Sequence, residues 1–414
     1  MRGLTKGWCV LLTIVAIFAL AAPFAVAEDD VVVLRVMTRG GMHDVLQAFQ
    51  DQNPHIRIEI EEVAFGEYVE KFRLHYAAGV APDVIFPATS WAIVLGAEGA
   101  LLDLREWVDE DFLADFVPQS LELYSYEGAL YGLPNDMAAL ATYINVDHFE
   151  EAGLFSNFTS WTWDEFVTMM KRLTLDRDGD GIMDRFGMEH MGYPQPFLWS
   201  ATGNGYFDNT FRPTRMMLDE PKALQALQAL QNLIWQDHVI PRPGESASFT
   251  GGTASSVVLG HWSMSGIMAS GINWQLVPLP RFEYQVQRGD GSGWSVASTT
   301  KHPEEAVELV KFLAGEGGQT ILAQQHFGTS AYLPVLHGVW RNPPDLPPGI
   351  NKMAFLAGTD MLFSFYDPVH PVYDYVFPLV HGAVNNVLGG SVSPEQAVEQ
   401  IKDQVAALLA EHVK

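Results

Sequence analysis

Apolar residues recur along this chain with two periods, and the switches between them mark its elements. Val31 to Met37 is a near-continuous β-branched run, the mark of a strand buried on both faces. A Thr38-Arg39-Gly40-Gly41 loop follows, then a predicted helix from His43 to Asn53, stopped by Asn53-Pro54. Ile56 to Ile60 alternates with period two, a second strand, and Tyr68, Val69, Phe72 and Tyr76 share one helix face. Gly79 to Phe86 closes the block with a short apolar strand. Strand and helix alternating at this spacing predict a parallel α/β sheet, and ligands of such sheets bind beyond the strands' carboxyl ends. That rule nominates the loops Thr38–Gly41, with Arg39 and Gly40, and Pro87–Trp91, with Ser90 and Trp91.

The chain then changes character. Gly128, Gly132 and Pro134 punctuate an apolar run ending in Asn135 and Asp136, an extended piece with a turn. Ala138 to Ile144 is strand-like and Asn145-Val146-Asp147 starts a helix, as expected where a chain crosses between two lobes. Thr162 with Glu165 forms a capping box for a helix through Thr174, and Trp161 and Trp163 beside it are expected in the core. Tyr193 to Trp199 reads as an irregular aromatic segment, which puts Phe197 and Trp199 among the binding candidates. Asp219 to Asp237 carries a leucine stripe expected in the core. Val257–Gly260 leads into His261-Trp262, and Gly289 to Val296 is a glycine-rich run containing Trp294. Pro303 opens an amphipathic helix, Pro343 to Pro348 a loop, and Phe365 to Tyr373 a second irregular aromatic segment with Tyr366. Ser393, Pro394 and Gln396 open the closing helix.

Composition narrows the classes. Residues 1–27 look like a cleaved export signal: Arg2 and Lys6, an apolar stretch from Trp8 to Ala22, and Ala25-Val26-Ala27 before Glu28. The single cysteine, Cys9, falls inside that stretch, so the mature chain is expected to lack disulfides, cysteine-held metal and a cysteine-linked lipid. The formal charge of −26 becomes −28 when the two leader cations are removed, a poor match for nucleic acid. About 387 remaining residues and 48% hydrophobic content allow two packed domains.

Several stretches in order are similar to one family. Leu130-Tyr131-Gly132-Leu133-Pro134, Tyr143-Ile144-Asn145 and Phe149 to Leu154 resemble the first interlobe crossover of the extracellular solute-binding proteins of ABC importers, family 1, the sugar-binding group. Ala81-Pro82-Asp83-Val84 resembles the strand before a ligand-facing loop, which puts Trp91 at the expected aromatic position. Phe249 to Trp262 resembles the stretch whose tryptophan lies over the sugar, with Ser255-Ser256 departing from the usual Ala-Met. The resemblance implies an α/β, two-lobed periplasmic-binding-protein fold of type II, each lobe a mostly parallel sheet flanked by helices, joined by hinge crossovers. The implied division is 1–27 as signal peptide, 28–140 plus 292–345 as the N-terminal lobe, and 141–291 plus 346–414 as the C-terminal lobe.

The implied function is a monomeric, periplasmic or extracellular receptor that shuts on a carbohydrate and delivers it to the ABC permease, without a cofactor and without catalysis. Sugars present hydroxyls and C–H faces; rings cover the faces and fixed polar groups pair the hydroxyls. Trp91, Trp199, Trp262, Trp294 and Tyr366 are the candidate rings, with Phe197 beside them, and Arg39, Asn135 and Asp136 the polar groups. Asp176, Asp178, Asp180 and Asp184 follow the first half of a calcium loop but lack its terminal glutamate, Gly187 standing there, so a structural Ca2+ is an expectation. Other classes fit parts of the pattern: a receptor for glycerol-phosphate or another polar solute, a secreted glycan hydrolase using Asp136 and Asp367, or a calcium-dependent adhesion protein.

Overall fold

The computed structural model describes residues 31–413 apart from 191, 365 and 366. The expected leader, Cys9 and Tyr366 therefore lie outside the described residues. Strand β1 (Val32–Thr38) is the centre of the first sheet's parallel part, flanked by β2 (Ile56–Glu62) and β3 (Val84–Ile85), with Val36 opposite Ile60 and Val84. Connecting helices α1 (His43–Gln52) and α2 (Tyr68–Ala77) bury Leu46, Phe49, Tyr68 and Phe72. Beyond β3 the direction reverses. The return strand Gly293–Val296 runs antiparallel to β3 and pairs with Leu133–Pro134 at the sheet's far side.

The second sheet is three-stranded, with Leu140–Asn145 between Ser256–Gly260 and Trp274–Val277, and both pairings are antiparallel. The expectation of a mostly parallel sheet in each lobe is therefore corrected for this one. Every residue of Leu140–Asn145 is buried. Burial on both faces makes a continuous apolar run whatever the direction of the neighbours, so the pattern carried no direction. Leu140 and Ile144 face the core made by α3 (Trp163–Leu173), Pro221–Trp235 and Tyr373–Leu388, while Ala141 and Tyr143 face the opposite side with Val257, Leu276 and Phe355.

Both capping boxes are present: Thr162 with Glu165, and Ser393 with Gln396 opening Pro394–His412. The segment from Tyr193 to Trp199 is corrected. Gln195–Thr202 is a helix, with prolines confined to its first turn, where the missing N–H costs nothing. Phe197 and Trp199 point into the second lobe, buried to 1% and 0% exposure.

Candidate functional site

Three parallel strands end at one place. Arg39, Gly40 and Gly41 follow β1, Phe65 follows β2 and Phe86 follows β3, and all five line one wall of a cleft of ≈ 690 Å³. Asp136, Ala138, Arg288, Gly291 and Ser292, from the two crossovers, form its floor, and Phe327 also lines it. Tyr193 and Trp262 are contributed from the second sheet's side. The opening of an α/β sheet at its carboxyl ends thus faces aromatic residues across the gap.

Trp262 is 37% exposed and stands edge-to-face with Tyr193, ring centroids 6.2 Å apart at 78°. Its indole lies across Gly260, where an added Cβ would meet the six-membered ring and displace it. The Arg288 guanidinium sits 5.9 Å from both the Tyr193 and Trp262 rings and is held by Asp290 through two hydrogen bonds, 2.9 and 3.1 Å. On the facing wall the Arg39 guanidinium lies 5.4, 5.0 and 5.9 Å from the Phe65, Phe86 and Trp91 rings and donates to Ser292 Oγ. No carboxylate among the described residues comes within ion-pair distance of Arg39. Asp136 accepts the Ser292 N–H at 3.0 Å. Burial pushes its carboxyl up to about 6, against the pull of that N–H and of Arg39 and Arg288. The cleft therefore offers exposed ring faces and anchored donors and acceptors, which is the pairing a polyhydroxylated guest requires.

Of the residues proposed from sequence, the structure brings Arg39, Gly40, Asp136 and Trp262 together in this cleft. Trp91 stands one layer behind: its ring stacks on Tyr68 at 5.7 Å, packs on Phe65 at 4.5 Å and lines an adjoining shallow groove with Arg73 and Asp374. Five proposed residues are corrected. Asn135, 1% exposed, accepts hydrogen bonds at Oδ1 from Trp294 Nε1 (3.0 Å) and Gln319 Nε2 (3.1 Å). Trp294, fully buried, backs Phe86 with ring centroids 4.4 Å apart. Phe197 packs on Trp163, and Trp199 stacks on Phe363 at 5.4 Å. These side chains are core, because the turn and helix that carry them face inward. Ser90 is also fully buried and away from the cleft lining.

Tyr193 opens the aromatic segment in which the sequence nominates only Phe197 and Trp199, and Phe86 opens the ligand-facing loop in which it nominates only Ser90 and Trp91. Phe65, Arg288, Ser292 and Phe327 were not singled out from sequence. Phe65 lies just past a strand's carboxyl end, so the rule that nominated Arg39 could have found it. Arg288 carried no such signal. In the acidic turn, Asp176, Asp178 and Asp184 each bring one ligand oxygen within 4.8 Å of the others. Asp180 stands apart from that trio and accepts the Ile182 N–H at 2.8 Å. Asp367, the hydrolase alternative's second acid, is buried outside the cleft lining and accepts the Phe207 N–H at 3.1 Å.

The family model for bacterial extracellular solute-binding proteins matches residues 38–320. The chain belongs to that family. Among curated relatives of this solute-binding protein, the galactooligosaccharide-binding protein of Bacillus subtilis is 22% identical over 375 residues, 87% of this chain and 84% of the relative. Among solved structures, the ABC substrate-binding protein Lmo0181 from Listeria monocytogenes in complex with cycloalternan superposes with a TM-score of 0.81 at 19% identity, covering 92% of this chain and all of that one. The maltose/maltodextrin-binding domain MalE from Bdellovibrio bacteriovorus bound to maltotriose gives 0.75 at 19% identity over 92% and 99% of the two chains. These likenesses establish the two-lobed α/β fold.

Proposed function

We propose that this solute-binding protein captures a carbohydrate, mono- or oligosaccharide, in the cleft and presents it unchanged to the permease of an ABC importer. The observation that carries the reading is the facing of Trp262 and Tyr193 against Phe65, Phe86 and Arg39 across one gap. The guest touches both walls only when the lobes are shut, so binding shifts an open–shut equilibrium in proportion to the contacts made in the shut form alone. In this reading the lobes are 28–140 plus 292–345 and 141–291 plus 346–414, and the protein works as a monomer exported by a cleaved leader without a cysteine-linked lipid. It needs no cofactor, and a Ca2+ held by Asp176, Asp178 and Asp184 serves structure alone. The relatives bind galactooligosaccharide, cycloalternan and maltotriose, which favours an oligosaccharide here.

Thermal-shift screening against neutral mono- and oligosaccharides tests it, because a ligand of the folded state raises Tm. A dose-dependent rise with the sugar recovered intact supports capture; cleavage products would overturn it. Arg39, which has no carboxylate within ion-pair distance among the described residues, supports a second reading, a phosphate-bearing polar solute. Glycerol-phosphate in the same screen separates the two.

A further inference from the structure

Arg73 is shared between two carboxylates that belong to different lobes. Its Nη2 donates to Glu98 Oε1 at 2.6 Å and to Asp374 Oδ2 at 2.9 Å, and its Nε donates to Glu98 Oε2 at 3.2 Å. Arg73 rides on α2, which is anchored in the first lobe by Tyr68 and Phe72, and Glu98 follows the helix Thr89–Ala97 of the same lobe. Asp374 stands in the first turn of Tyr373–Leu388, whose Val376, Val380 and Val384 lie in the second lobe's core. An apolar seam runs beside this ion pair. Tyr373 packs with Ala88 against Trp91 and Phe377, and Val369 packs with Ile93 and Leu123. Trp91 in turn backs Phe65, so the seam borders the cleft wall itself.

We propose that Arg73 and Asp374 form a latch across the lobes that sets ligand affinity without touching the ligand. This rests on the hinge-closure reading above. Glu98 stays with Arg73 in either state and holds the guanidinium in place, so little side-chain freedom is lost when Asp374 arrives. A contact made only in the shut form raises the shut population, and apparent affinity scales with that population. The two side chains are 40% and 35% exposed, so solvent screens the pair. Pairs of that kind correspond to a change in affinity of about 1.5- to 5-fold.

The test uses the full mature chain, wild type and the variants Asp374→Asn, Asp374→Glu and Glu98→Gln. Small-angle scattering reads the radius of gyration without ligand, and calorimetry reads Kd for the tightest saccharide of the panel. Asp374→Asn is expected to expand the unliganded protein and weaken Kd about 1.5- to 5-fold at low salt, with the difference closing near 1 M NaCl as charges are screened. Asp374→Glu is expected to recover most of both, and Glu98→Gln, which removes a contact within one lobe, to change them less. An Asp374→Asn protein with unchanged radius and Kd, or with tighter binding, overturns the latch. If no saccharide binds, the capture reading falls, while the scattering comparison still decides the latch.

Discussion

Truncating Trp262 to alanine removes an exposed ring face from the second-sheet side of the cleft, and its effect can be worked from exposure. A whole tryptophan presents about 250 Å², and 37% of it is open here, which gives about 90 Å². Full coverage by a ligand at about 25 cal/mol per Å² contributes about 2 kcal/mol, and half coverage about 1. Trp262→Ala should therefore weaken saccharide binding about 5- to 30-fold. Trp262→Phe, which keeps a flat ring, should recover part of the loss. Because the indole sits on the surface of the cleft over Gly260, Tm of the unliganded protein should shift little. Isothermal calorimetry on both variants, with thermal melts alongside, separates the outcomes. Unchanged affinity in Trp262→Ala would refute the stacking argument. A large drop in unliganded Tm would show that the ring supports the fold instead.

Three further outcomes follow from the same geometry. Asn135→Ala leaves the buried Trp294 and Gln319 donors without their shared acceptor, so it should lower stability by about 1–3 kcal/mol in urea melts; a binding defect without a stability defect would return Asn135 to the cleft. Asp136 has its folded pKa raised to about 6 by burial, from 3.8, so its carboxyl favours folding when protonated. That benefit is complete below about pH 4 and is lost as pH rises through 6. Asp136→Asn should accordingly raise stability at pH 7.5, by an amount on the order of 3 kcal/mol at most, and leave it unchanged at pH 3.5; equal effects at both would refute the burial argument. Burial lowers the Lys352 ammonium to about 7 while its Nζ donates to the Trp340 carbonyl at 2.6 Å. The unfolded chain binds the extra proton between pH 7 and 10.5, so this group makes stability rise with pH across that window, and Lys352→Met should flatten the slope.

How much of this was legible in the sequence depends on what kind of signal each residue carries. Strands β1 to β3 and their helices were readable because their periods differ and because Asn53-Pro54 and the glycines punctuate them. Arg39 and Gly40 followed from strand direction alone, without any knowledge of their contacts. The direction of Leu140–Asn145 was hidden because a strand buried on both faces looks the same in either sense. Tryptophan misled for a related reason. A large ring suits a sugar face and a core equally, and only three-dimensional packing separates Trp262, standing over a glycine, from Trp199 and Trp294, enclosed on all sides. Asn135 and Asp136 are neighbours with opposite fates, because successive residues of an extended segment point to opposite faces. The Arg73–Asp374 contact spans 301 residues and had no local signature at all.

A crystal structure of the protein with the saccharide that gives the largest thermal shift is the most direct measurement. The account predicts an intact sugar with one face against Trp262, its hydroxyls in reach of Arg39 and Asp136, and both lobes contributing contacts. A guest bound on an outer surface, or a cleaved product in the cleft, would contradict it.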